Sequence, residues 1–123
     1  MEKTSSRPYK NLSDQTSDKH AGFNDCRGYE AISVTDLEVK TLTIPNGSSY
    51  AIITIIASST ASDPEYVAWW MEDGNDPTTG DAGAGMPIGH LGVLEPKGIT
   101  NLNNFKIIGR EAGKTHLVRV KYY

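Results

Sequence analysis

The sequence predicts an all-β protein, a single antiparallel, jelly-roll-like β-sandwich that follows an extended N-terminal arm. Its 123 residues suffice for one domain. From Ser33 onward, short β-rich runs alternate with Gly, Pro and Asn at the spacing typical of sandwiches and barrels. The first thirty residues carry five basic and five acidic side chains, and Leu12 is the only aliphatic residue larger than alanine before Ile32. We therefore divide the chain into an arm, residues 1–33, and a sandwich, residues 34–123.

The strands of the sandwich are predicted from apolar runs, none of which shows a helical period. The first run keeps a period of two with one slip near Lys40, which indicates a bulge or bend. Pro45-Asn46-Gly47 then ends it. No helix is predicted. The predicted strands cover residues 37–44, 50–57, 66–71, 89–94, 104–108 and 115–123.

The parity of apolar residues predicts which faces are buried. Residues 50–57 are apolar at both parities, so this strand is expected in the middle of the assembly and covered on both faces. Trp69 and Trp70 are adjacent on a strand, so they point to opposite faces and one of them faces away from the core. The inward residues of the last strand are predicted to be Val118, Val120 and Tyr122.

The composition of the arm predicts that it docks on another surface. Its low hydrophobicity leaves too little apolar area to offset the entropy of ordering. Thirty extended residues reach about 100 Å at ~3.3 Å per residue, well beyond the radius of their own domain. Deleting residues 2–30 is expected to leave the sandwich folded and to abolish attachment. The side chains predicted to bind a partner are Arg7, Tyr9, Leu12, Phe23, Tyr29, Trp69 and Trp70.

Charge and hydropathy exclude several classes of protein. The formal charge is −3 and the pI is about 5.5, so the basic footprint of a dedicated nucleic-acid binder is missing. The longest apolar run is too short to span a membrane, and the charged, Ser-rich start lacks the apolar stretch of a signal peptide. A soluble, unsecreted protein without nucleic-acid or membrane partners is expected.

The sequence contains no pattern that predicts catalysis or a cofactor. His20, His90 and His116 lie so far apart that their spacing predicts no catalytic pair. Cys26 is the single cysteine, so it forms no internal disulfide, and it gives no zinc-ligand spacing with the histidines. We expect no enzymatic activity, no cofactor and an inert thiol.

Residues 72–81 form the richest polar segment. Their Asp and Asn side chains are hard oxygen ligands of the kind that Ca²⁺ prefers, but their order misses the EF-hand spacing. Asp-Gly and Asp-Pro pairs form turns, and the glycines that follow allow positive φ. A chain of turns is the preferred interpretation, and no metal site is predicted. The carboxylates of the weak calcium alternative are Asp73, Asp76 and Asp81.

Charge is distributed unevenly along the sandwich. Residues 60–90 contain six acidic side chains and no Lys or Arg, whereas residues 91–123 contain six basic and two acidic ones. If these charges also separate in space, the acidic loop of one protomer could meet the basic edge of a neighbour in a head-to-tail or cyclic oligomer. Two surfaces of mixed charge are the alternative.

Four segments of the predicted sandwich combine turn and core residues in an order that resembles a known family. The segments that carry it are WWMEDGNDPT (69–78), GMPI (85–88), NLNNFKII (101–108) and VRVKYY (118–123). They resemble small virion proteins of tailed phages, whose pattern runs aromatic-x-x-Asp-Gly-x-x-Pro-Thr, Gly-Met-Pro-Leu and Leu-x-x-Phe-x-Ile before a strand that ends in Tyr-Tyr. The resemblance covers about residues 35–123. It departs from the pattern at Ile88 and at a glycine-rich insertion over residues 81–84.

The resemblance implies a structural protein of the phage particle, a capsid cement or decoration protein at the capsid surface of the virion. Its partners would be the major capsid protein and further copies of itself. The alternative, from another class, is a tail- or fibre-associated β-sandwich module that binds carbohydrate or a receptor through Trp69 or Trp70. An exposed aromatic platform would discriminate this module from a cement protein.

Overall fold

The computed structural model describes residues 25–123. Of the predicted partner-binding side chains, four therefore lie outside the described residues, namely Arg7, Tyr9, Leu12 and Phe23. The elements within the described part are β1 Gly28–Val34, β2 Lys40–Thr41, β3 Ala51–Ile56, β4 Ala68–Met71, β5 Met86–Ile88, β6 Val93–Leu94, α1 Ile99–Asn104, β7 Lys106–Gly109 and β8 His116–Tyr122.

The strands form two four-stranded sheets that pack against each other. The first sheet has the order β1-β8-β3-β6 and the second has the order β2-β7-β4-β5. All neighbours are antiparallel, and β1 pairs with β8, β2 with β7, β3 with β6 and β4 with β5. This is the order of one long hairpin rolled into two layers, an eight-stranded jelly roll. The predicted fold class is confirmed.

The core lies between the two sheets. Ile53 and Ile55 of β3 are fully buried, and they face Val120 and Val118 of β8 in register. The second sheet contributes Ala68 and Ile107, and Phe105 lies just before β7. The prediction that Val118, Val120 and Tyr122 face inward is confirmed, since none is more than 1% exposed.

The sandwich begins earlier than the sequence predicted. β1 starts at Gly28 and pairs along its whole length with β8, so the boundary lies there and not at residue 34. The sequence pattern did not predict this strand, because a carboxylate, Glu30, occupies an inward position where an apolar residue is expected. Its Oε2 accepts hydrogen bonds from the Tyr122 hydroxyl and from the Thr43 N–H at 2.8 Å. Burial and the Glu30 carboxylate raise the pKa of Tyr122 well above its ordinary value.

Four further elements differ from the prediction. The strand β5, Met86–Ile88, was not predicted. The strand predicted over residues 37–44 is reduced to β2, and Leu37 is 86% exposed. The strand predicted over residues 89–94 begins only at Val93, because Leu91 has φ 63° and cannot continue an extended chain. The helix α1 was not predicted, since six residues are too short to show a period. α1 packs against the core through the buried side chain of Leu102. No helix in residues 25–123 is long and apolar enough to cross a membrane.

Candidate functional site

The solvent side of the first sheet is the first candidate surface, which we call the outer face. The side chains on it alternate with the buried ones along β1, β3, β6 and β8. β3 was predicted to be covered on both sides, yet within the described residues only its inner side is fully buried. The outer face consists of Tyr29, Ala31, Ser33, Ile52, Thr54, Ile56, Val93, Leu117, Arg119 and Lys121.

The outer face is largely apolar. Ile52, Ile56 and Leu117 are half-buried by their sheet neighbours, and Val93 is 60% exposed. The predicted partner-binding Tyr29 also lies here, at 57% exposure, on a strand and not in an arm. Thr54 and Arg119 lie between Ile52 and the neighbouring pair of Ile56 and Leu117, so apolar and polar side chains are interspersed on this face. Exposed apolar side chains on an open sheet face suit an interaction with another protein.

The charges of the outer face are all positive. Arg119 and Lys121 lie on β8 among its apolar residues, and the face contains no carboxylate. The Arg119 Nη1 donates to the Tyr29 hydroxyl at 2.7 Å, and the Lys121 Nζ lies 5.9 Å from the centroid of the Tyr123 ring. Neither cation pairs with an acid among residues 25–123. A partner surface that is acidic and apolar would complement this face.

Trp70 is partly buried and packs against the core. Its indole stacks on the Phe105 ring, with 5.8 Å between centroids and 22° between planes. It packs against the buried cluster from the inner side of the second sheet, where its Nε1 has no hydrogen-bond partner among the described residues. The burial of Trp70 is therefore explained within one chain. Of the two adjacent indoles, Trp69 is therefore the one that faces outward.

Trp69 faces outward from the second sheet and is half-covered by the chain itself. The β4–β5 loop, residues 72–85, folds back beside it, and Trp69 Nε1 donates to the Gly80 carbonyl at 2.8 Å. A Cβ at Gly83 would lie 2.6 Å from the same Nε1, so only glycine fits there without movement. The indole is thus fixed in orientation by this loop.

Two ion pairs hold the β4–β5 loop to the second sheet. Lys106 Nζ lies 2.7 Å from Asp76 Oδ1 and also donates to the Gly74 carbonyl at 3.1 Å. Arg110 Nη1 pairs with Asp81 Oδ1. Acidic and basic segments of the sequence therefore meet inside one chain. This arrangement favours surfaces of mixed charge over the head-to-tail contact between separated charges.

The carboxylates of the calcium alternative each bind other groups of the chain. Asp73 accepts the Asn75 N–H at 3.0 Å and its side-chain amide at 3.1 Å, and these hydrogen bonds lower the pKa of Asp73. Asp76 and Asp81 bind basic side chains, as described above. Within residues 25–123, no three His, Cys, Asp or Glu side chains lie close enough together to hold a metal ion.

A groove of about 440 Å³ beside Trp69 is the second candidate surface. Three separated stretches of the sequence meet there, namely residues 62–69, Asp81 and Arg110. Tyr66 is 45% exposed in it, whereas the Arg110 side chain is only 12% exposed. We call this site the aromatic groove. Its lining residues are Ser62, Asp63, Tyr66, Trp69, Asp81 and Arg110.

Comparisons with known proteins assign the chain to no family. No family model, curated protein or solved structure matches it. The function is therefore argued from the two surfaces and their chemistry.

The two histidines of the sandwich both serve the backbone at the end of β3. His90 Nδ1 accepts the Ala57 N–H at 3.1 Å, and His116 Nδ1 accepts the Ser58 N–H at 2.9 Å. The His116 ring is 1% exposed, and its Nε2, which must carry the proton, has no partner among the described residues. Desolvation lowers the pKa of His116 below its ordinary value of 6.5, opposed by the charge of Glu111.

Acid is expected to destabilise the fold through His116. The unfolded chain takes up a proton near pH 6.5, whereas the folded chain does so only at lower pH. The unfolded state therefore binds more protons, so this contribution to stability is complete above pH 6.5 and is lost as the pH falls below it. His116→Asn keeps an acceptor for Ser58 but does not titrate. Its melting temperature should fall less between about pH 7.5 and about pH 5.5 than that of the wild type. Equal losses would contradict this role.

The two surfaces differ in how far the sequence could reveal them. The sequence contained an indication of the outer face, because residues 50–57 are apolar at both parities and the core needs only one of them. The aromatic groove had none, because Tyr66 and Arg110 belong to segments whose spacing carries no motif. The sequence singled out Trp69 only as one member of an adjacent pair. In the structure Trp69 lines the aromatic groove and Trp70 does not.

Proposed function

We propose that this chain is a structural protein of a tailed-phage particle, a cement or decoration protein that docks its outer face on the major capsid protein. The observation that carries the proposal is the apolar, positively charged outer face. An open sheet face suits a broad protein partner better than a small ligand, which needs a concave site. The jelly-roll fold agrees with the proposal by analogy only, since this fold serves many functions.

Apolar contact and charge play different roles in this docking. Ile52, Ile56 and Val93 supply area that leaves water on binding, at about 25 cal/mol per Å² before the costs of association. Arg119 and Lys121 steer the face toward an acidic patch and reject a basic one. Binding to the capsid should therefore weaken as salt is raised, through a slower association rate.

The N-terminal arm extends the same interface. The described chain enters the sandwich through β1, which is an edge strand of the sheet that carries the outer face. Residues that precede β1 therefore start at the rim of the docking surface, where an arm that orders on binding adds contact area. Repetition of this contact over the many equivalent sites of a capsid, and self-association into a homo-oligomer, would add avidity.

A carboxylate on the outer face should abolish docking without unfolding the protein. Val93→Glu places a negative charge at a position that is 60% exposed, where it repels an acidic partner and removes apolar contact. We expect affinity for heads to fall about tenfold or more, with a free energy of unfolding within about 0.5 kcal/mol of the wild type. The measurement is cosedimentation of the full chain with expanded heads assembled from the major capsid protein encoded in the same genome.

Leu37→Glu is the matched control. Leu37 is 86% exposed and lies outside the outer face, so the same substitution there should leave binding unchanged. Equal loss of binding in both variants would indicate a general charge effect and contradict the assigned face. Heads that do not bind the wild-type chain, or a genome without a major capsid protein, would contradict the proposed function itself.

A further inference from the structure

We propose that the aromatic groove binds a neutral saccharide. Its volume of about 440 Å³ lies within the range of roughly 300–1,000 Å³ that small-molecule sites occupy. Two aromatic side chains, Tyr66 and Trp69, line it together with hydrogen-bonding groups of both kinds. A sugar presents weakly positive C–H groups on one face and hydroxyls around its edge. The C–H face packs on the electron-rich face of an aromatic ring, and the hydroxyls bind polar groups.

The groove is built before any ligand arrives. Arg110 Nε donates to the Tyr66 carbonyl and Nη1 binds Asp81, so the guanidinium is held in one orientation. The Arg110 backbone N–H also donates to the Val67 carbonyl at 3.0 Å. Trp69 is fixed by its hydrogen bond to Gly80. Side chains that are already ordered lose little entropy on binding, which favours affinity for a small ligand.

The polar groups of the groove are suited to hydroxyls. Asp81 is 91% exposed and uses only Oδ1 in its ion pair, and Asp63 uses only Oδ1 to accept the Glu65 N–H at 3.1 Å. Each therefore keeps a second carboxylate oxygen without a partner among residues 25–123. Such oxygens accept strong hydrogen bonds from hydroxyl groups.

The charge of the groove selects a neutral ligand. Two carboxylates, Asp63 and Asp81, face one guanidinium, so the lining carries a net negative charge. Phosphorylated, sulfated or carboxylated ligands would meet repulsion and find Arg110 already paired. A neutral hexose or short oligosaccharide meets neither obstacle.

The position of the groove leaves it accessible when the chain is docked. Trp69 faces outward from the second sheet, whereas the outer face belongs to the first sheet. In a two-layer sandwich these surfaces point in opposite directions. A chain seated through its outer face would therefore present the aromatic groove to solvent, and saccharide binding and capsid binding can be tested separately.

The test is a glycan array of neutral oligosaccharides of glucose, galactose, mannose and N-acetylglucosamine, probed with the full chain and followed by titration calorimetry of the strongest binder. Tyr66→Ala should weaken that binding about tenfold or more. Tyr66→Phe keeps the ring and should retain most of the affinity. Leu37→Ala removes an exposed side chain that lies outside both the groove and the outer face, and it should leave saccharide binding unchanged. Thermal melting checks that each variant is folded.

Three outcomes would overturn the proposal. The first is an array on which the wild-type chain binds no neutral saccharide. The second is binding that only sulfated, phosphorylated or carboxylated glycans support. The third is saccharide binding that Tyr66→Ala leaves unchanged, since the ligand would then lie elsewhere. None of these outcomes bears on docking through the outer face, which the Val93→Glu experiment tests independently.

Discussion

Ile53→Asn should cost about 3–5 kcal/mol of the free energy of unfolding, a large fraction of the stability of a domain this size. Ile53 is fully buried, opposite Val120 on one neighbouring strand and Leu94 on the other. Asparagine removes apolar contacts from both and places an amide where no partner can satisfy it. Chemical denaturation monitored by tryptophan fluorescence measures the loss.

Ile52→Asn is the matched control. Ile52 is the neighbouring residue of the same strand but belongs to the outer face, so its amide would remain in water and the cost should be about 1 kcal/mol or less. Ile52→Asn should instead weaken docking. A similar loss of stability in both variants would mean that β3 is buried on both sides and that the outer face is not a free surface.

Two truncations should differ sharply in stability. Deletion of residues 2–24 stops before β1, so the sandwich should stay folded while attachment to heads is lost with the arm. Deletion of residues 2–30 removes the start of β1 and Glu30, the acceptor of the buried Tyr122 hydroxyl. We expect this longer deletion to cost several kcal/mol, because an unpaired buried hydroxyl and half a strand are lost together.

The boundary of β1 thus corrects the sequence-based expectation for the longer deletion. Melting temperatures of the two truncated proteins and their cosedimentation with heads measure both effects. Equal melting temperatures would show that β1 adds nothing to the sandwich. Full binding to heads by the shorter deletion would show that the arm has no part in docking.

The sequence predicted the fold where a single period decides the structure. β8 alternates Val118, Arg119, Val120 and Lys121, so its inward residues follow directly from parity. In β3 both parities are apolar, so the pattern could not show which side faces the core. The prediction failed where tertiary contacts override the pattern. Glu30 points inward only because Tyr122 and Thr43 reach it from elsewhere in the chain.

The aromatic groove illustrates the limit for site prediction. Its residues come from the loop before β4, from β4, from the β4–β5 loop and from Arg110, which follows β7, and no motif links them. The position of Arg110 is set by hydrogen bonds to the backbone of Tyr66 and Val67, which only the pairing of strands brings near. Residue spacing cannot reveal such a site, because local sequence does not specify which loops meet.

The rolled-hairpin order of the strands also sets an order for folding. β4 and β5 are joined by one loop and pair Trp70 with Met86, whereas β1 and β8 pair Gly28 with Tyr122 across nearly the whole described chain. Closing a long loop costs more entropy than closing a short one, but each inner pair that forms shortens the loop for the next pair. Folding should therefore zip outward from the β4–β5 hairpin, and the closure of β1 on β8 should come last and slowly. During synthesis, the edges of β1 and β3 that pair with β8 therefore stay without their backbone hydrogen bonds until β8 has left the ribosome.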